Sequence, residues 1–123
     1  MAEQRQRKFG ESRVEELVVE IVSPVCPISL LVDYEVTPPF CAFEVTNNTP
    51  TYTKQGISGW TSDVSVYFVH SVEQTATANK REILRALATY TSSQTCINIE
   101  NVTETFDDGY FSWKIDFQVI EKI

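Results

Sequence analysis

Four side chains could carry nucleophilic or metal chemistry: the single histidine, His70, and the cysteines Cys26, Cys41 and Cys96. Cys41 could attack a carbonyl with His70 as its base, since such partners need only meet in space. No hydrolase signature surrounds "FCAF" or "FVHS", and a lone histidine specifies little. His70 therefore reads as a surface residue at the end of a strand, and Cys41 and Cys96 as small core residues within strands. One histidine and three scattered cysteines offer no ligand spacing for a metal, and there is no CxxC pair. The acidic pairs Glu15/Glu16 and Asp107/Asp108 belong to a helix start and a turn. "GISG" at Gly56 lacks the GK[ST] ending of a phosphate loop. No catalytic, cofactor-binding or metal residue is assigned, and the chain reads as a protein that is not an enzyme.

The totals point the same way. A chain of 123 residues makes about one domain and buries enough surface to fold without disulfides or a metal. Net charge is −7, which argues against a nucleic-acid groove or an anionic membrane as partner. The only basic cluster, Arg5, Arg7 and Lys8, lies in a polar stretch, residues 1–11, that reads as a flexible leader. Isolated cysteines suggest reduced thiols and a soluble, intracellular chain. No apolar run approaches the roughly 20 residues of a membrane span. The patterns "NNT" at Asn47 and "NVT" at Asn101 match glycosylation acceptors, which have no meaning in such a compartment.

The elements that must position these residues follow from periodicity and punctuation. Val14, Leu17, Val18, Ile21 and Val22 form one apolar stripe, Ser12 with Glu15 makes a capping box, and Pro24 is a stop: helix 12–23. Residues 28–36 read as a strand ended by Pro38-Pro39, and "FCAFEVTN" at 40–47 as another. "NNTPTYTKQGISGWTS" has no apolar period and reads as a long connection or an extended hairpin tip. "DVSVYFVH" alternates, with Val64, Val66 and Phe68 on one face. A second helix covers 72–89, capped by Ser71 with Gln74. Ala76, Ile83, Leu87 and Leu84 form its buried face, and Lys80, Arg81 and Arg85 its solvated one. A hairpin then pairs Cys96–Phe106 with Tyr110–Ile120 around "DDG", whose Asp-Gly suits a turn with positive φ. Asn101 breaks the alternation after Ile97 and Ile99, predicting a bulge before Val102. Phe111, Trp113, Ile115, Phe117 and Val119 alternate with polar residues, so the last strand should be a main wall of the core. The fold class is α+β: an antiparallel or mixed sheet of four to five strands, two helices on one face and a long hairpin tip, in one domain over 12–123.

This order of elements resembles the tail-completion, tail-terminator and head-tail joining proteins of long-tailed bacteriophages and prophages. The likeness spans roughly residues 12–122. It rests on the amphipathic helix "VEELVVEIV", the strand "PPFCAFEV" with a polar tip after it, the strand-to-helix run "DVSVYFVHSVEQTATANKREILRAL" and the aromatic final strand "GYFSWKIDFQVIEK". The stretch 24–39 departs from the pattern. The resemblance implies a non-enzymatic subunit without cofactors that forms a ring with copies of itself, commonly six-fold. Such a ring sits at the head-proximal end of the tail tube, stops tube growth and offers the head-tail joining surface. Its partners would be tail-tube and head-connector proteins, with no sequence-specific nucleic-acid contact and no membrane. It would occupy the bacterial cytoplasm during assembly and the virion tail afterwards. An acidic surface suits a lumen through which DNA passes without sticking.

Within that expectation, Tyr52, Lys54, Gln55, Ile57 and Trp60 of the tip are the candidate interface residues, Trp60 being either an exposed anchor or packing at the base of the loop. A sheet edge can add strands from neighbours, and head-to-tail contacts close into rings. The alternative is a small adaptor or regulatory module that binds a peptide or small ligand between sheet and helices.

Overall fold

A computed structural model describes residues 12–30 and 39–122. The leader 1–11 and most of the strand expected over 28–36 lie outside the described residues. The elements run α1 (Val14–Val22), β1 (Ser29–Leu30), β2 (Phe40–Thr53), β3 (Gly56–His70), α2 (Glu73–Thr89), β4 (Thr95–Asp107) and β5 (Tyr110–Lys122). They build one five-stranded sheet in the order β1-β2-β3-β5-β4. Four strands are antiparallel, and the short β1 joins β2 in parallel through Ser29↔Ala42 and Leu30↔Phe43. The α+β class and the mixed sheet are as the sequence predicts.

The final strand lies inside the sheet, between β3 and β4. Its period of two puts Trp113, Ile115, Phe117 and Val119 on one face, all buried, because successive strand residues point to opposite sides. Each such side chain stabilises by about 1.5–3 kcal/mol on full burial. Cross-strand pairing brings Val64 to Phe117, Val66 to Ile115 and Phe68 to Trp113, while β2 adds Cys41 and Phe43. Against this wall pack Val14, Val18, Ile21 and Val22 of α1 and Ala76, Ile83 and Leu87 of α2. Phe68 and Trp113 stack at 5.2 Å, and the indole N–H of Trp113 donates to the Ala76 carbonyl at 2.9 Å. A buried indole thus keeps its hydrogen bond by reaching the backbone of a helix.

Neither capping box forms. Helix α1 begins at Val14, and the carboxylate that holds its start is Glu121, from the last strand, with Glu15 exposed to solvent. Glu121 accepts from the Ser12 hydroxyl at 2.7 Å and from the Arg13 backbone N–H at 2.9 Å. Ser12 Oγ in turn accepts from the Val14 N–H and from Asn48 Nδ2, which also donates to the buried Ser62 hydroxyl. A carboxylate fixed by the sheet loses less freedom on capping than the mobile Glu15 would, and it still meets the positive end of the helix. At α2 the residue before the helix is Val72, and its N–H donates to His70 Nδ1 at 2.9 Å, so Ser71 makes no cap. Lys80, expected in solvent, is largely covered and paired with Glu104 of β4.

Both hairpins have two-residue turns. Asp108 and Gly109 have φ of 52° and 81°, the left-handed pair that the strand twist favours. The predicted bulge in β4 is present: register slips between Ile99↔Phe117 and Asn101↔Asp116, leaving Glu100 as the extra residue. Between β2 and β3 the pairing continues to Thr53↔Gly56, so the polar stretch after Asn47 is an extended hairpin tip. Gly59, at its root, has no room for a side chain, because an added Cβ would lie 2.2 Å from the Glu121 carbonyl oxygen.

Candidate assembly surface

The β2–β3 hairpin outruns the rest of the sheet. Strand β5 accompanies β3 only as far as Gly59↔Lys122, so beyond the Thr51↔Gly59 pair residues 52–57 pair with one another alone. Hydroxyls stitch this finger: Ser58 Oγ donates to the Thr51 carbonyl, Thr53 Oγ1 donates to that of Gly56, and the Gln55 N–H donates to Thr53 Oγ1. Threonines and serines here satisfy backbone groups that solvent would otherwise take.

The five candidate residues divide between the two ends of the finger. Tyr52 is 71% exposed, and Lys54 and Gln55 form the exposed turn. Ile57, opposite Tyr52, is half-buried. Trp60 is half-buried at the root, flanked by Pro50 on one strand and Glu121 on the other. Tyr52 is therefore the large exposed side chain near the turn, and Trp60 is the half-buried one at the root of the finger. Lys54 is the only charged residue between Val45 and Ser62, and it makes no ion pair among the described residues.

The two rims of the sheet differ. On the β2 side, β1 covers Ala42 and Phe43, register slips near Asn47, and Pro50 removes a backbone donor. These are the devices that blunt an edge. On the other side β4, 13 residues long, is the edge strand: it pairs with β5 and, among the described residues, has no strand on its outer edge. Its helix-facing positions, set by pairing with the buried side of β5, include Ile99 and Val102, each 37% exposed, and Phe106, 63% exposed. Phe106 rests on Phe111 with ring centroids 4.5 Å apart. The helices cover β5 and β3 and leave this apolar strip partly open. Its signal in the sequence was the run "CINIENVTETF", where apolar residues alternate on both sides of the bulge without any basic residue.

The helix-free face of the sheet is polar. Tyr67 donates to Glu44 at 2.7 Å, Ser65 donates to Asp116 at 2.6 Å, and Lys114 lies 5.6 Å above the Tyr67 ring and 3.6 Å from Asp116. Partial burial and the Glu44 carboxylate push the Tyr67 hydroxyl up to about 12, because both disfavour the phenolate.

No hydrogen bond joins Cys41 to His70 among those of the described residues. Cys41 is buried and its thiol neighbours that of Cys26, which is also buried, at the foot of α1. The neighbouring thiol and burial push Cys41 far above the usual thiol range, so it stays protonated. His70 stacks on Phe68 at 6.0 Å and spends Nδ1 on the Val72 N–H. Among the described residues no three His, Cys, Asp or Glu side chains gather as metal ligands, and no helix is long and apolar enough to cross a membrane. The space between sheet and helices is filled by side chains. Grooves remain at its margins, one at the rim lined by Glu73, Thr77, Lys80, Glu104, Phe106 and Trp113 and another between α1 and β2 lined by Glu16, Val19, Glu20 and Phe43.

No protein-family model matches the sequence, and no curated protein does. Among solved structures, the chain is similar to a chain of the virion of a native gene transfer agent (GTA) particle. The identity is 12% and the TM-score 0.51, over 87% of this chain and 85% of that one. At that identity the likeness is one of fold, and it extends over nearly all of both chains.

Proposed function

We propose that this protein is a structural subunit of a phage-like particle, acting as a tail-completion or terminator protein. Copies would join in a ring at the head-proximal end of the tail tube, stop its growth and offer the surface on which the head docks. The observation that carries this reading is the fold shared with a GTA virion chain over 87% of the sequence. The protruding finger and the open β4 rim support it, since they are unlike parts at different places on one subunit. Contacts between unlike patches run head to tail and close into rings when the rotation fits. The sheet uses its apolar face to hold its own helices, and the finger contributes little to that core. Its exposed Tyr52 and Lys54 are thus free to serve another molecule.

The test is polymerisation of the tail-tube protein of the same particle, followed by electron microscopy. With this protein present, tubes should stop short and carry a ring at one end. Tubes of unchanged length with bare ends would contradict the proposal.

A further inference from the structure

On the reading of a head-to-tail ring, we infer that the β4 rim is the acceptor for the β2–β3 finger of the next copy. Tyr52 would lie on the strip Ile99, Val102 and Phe106, and Lys54 would face the acidic residues around it. Three observations carry the pairing. The first is charge. Strand β4 and its turn hold Glu100, Glu104, Asp107 and Asp108 and no Lys or Arg, while the finger holds Lys54 and no acid. Glu104 is matched inside the chain by Lys80, and Glu100, Asp107 and Asp108 have no ion pair among the described residues. Between two copies of an acidic chain, a contact that joins Lys54 to these carboxylates is one that net repulsion does not oppose locally.

The second observation is the contrast between the rims. Pro50, β1 and the register slip blunt the β2 edge, whereas β4 has no proline, no basic residue and, among the described residues, no strand on its outer edge, and only the Glu100 bulge interrupts its ladder. The third is the pairing of apolar parts. Phe106 and Tyr52 are the two most exposed large apolar or aromatic side chains described, at 63% and 71%, and each lies beside unpaired charge of the opposite sign. An aromatic anchor entering an apolar strip, with charges at its margin, is the usual arrangement of a contact that carries binding energy.

The experiment is sedimentation of the full chain, comparing wild type with Lys54→Glu, with the double variant Glu100→Lys/Asp107→Lys, and with all three changes combined. All these residues are exposed, and circular dichroism should show each variant folded. The inference expects wild type to associate, each charge reversal to raise the dissociation constant about tenfold, and the combination to recover most of the loss. Raising salt from about 0.1 to 1 M should weaken wild type, as screening shortens. If wild type associates and no charge variant changes its mass, the acceptor is elsewhere and the ring reading stands alone. If wild type remains monomeric at every concentration, the ring reading and this inference fail together.

Discussion

Tyr67 stands on the helix-free face with its ring under Lys114 and its hydroxyl on Glu44. The folded chain holds this proton up to about pH 12, after the unfolded chain, titrating near 10, has released it. The stability this group contributes is therefore complete below pH 10 and is lost as pH rises from 10 to about 12. Tyrosinate absorbance should show a late component near pH 12, and Tyr67→Phe should remove it. A late component that survives Tyr67→Phe would refute the burial and Glu44 argument. The thiols give a second prediction at this scale. Cys96, expected from the sequence to be a core residue, is exposed because it lies on the rim strand β4, whereas Cys26 and Cys41 are buried. A thiol reagent should modify one cysteine quickly in the native protein and the other two only on unfolding. Fast reaction of Cys41 would reopen a catalytic role for it.

Helix α1 shows how an element can depend on a residue remote in sequence. Glu121 holds the Arg13 N–H from 108 positions away, and through Ser12 and Asn48 the same network reaches Ser62 on β3. Glu121→Ala should destabilise the fold by about 1–2 kcal/mol, the usual cost of a lost cap, read from denaturant unfolding. A change within error would mean that Glu15 takes over. Elements were legible where the pattern is local. The alternation of Phe111 to Val119, the Asp108-Gly109 turn, the bulge after Ile99 and the stripe of α1 each lie within a few residues. The caps were not legible, because Glu15 has the right spacing but loses to Glu121, a partner set by tertiary structure, and Gln74 loses to the local contact of Val72 N–H with His70. The finger was legible only as one of two options. A two-stranded extension wetted on both sides leaves no hydrophobic period, so Thr51 to Ser58 read equally as a loop. Lys80 looked solvated because its partner Glu104 lies on another element.

At the scale of the molecule, one face of the sheet is spent on its own helices, the other is a polar platform, and two unlike features remain at its margins. One is the finger with Tyr52 and Lys54; the other is the uncovered β4 rim. The first was visible in the sequence as a polar run too long for an ordinary turn. The second was not, because a strand at the rim and a strand in the middle share the same alternation, and only the strand order separates them. The finger's place outside the core has a direct consequence for assembly. Residues 52–57 pair only with one another, and the pairing of β3 with β5 begins at Gly59, so joining Thr49 to Gly59 through a short turn should leave the core intact. Light scattering of the full chain beside the chain lacking residues 50–58 is the most direct test. The account predicts a ring-sized mass for the first and a folded monomer for the second. Equal masses for the two would contradict it.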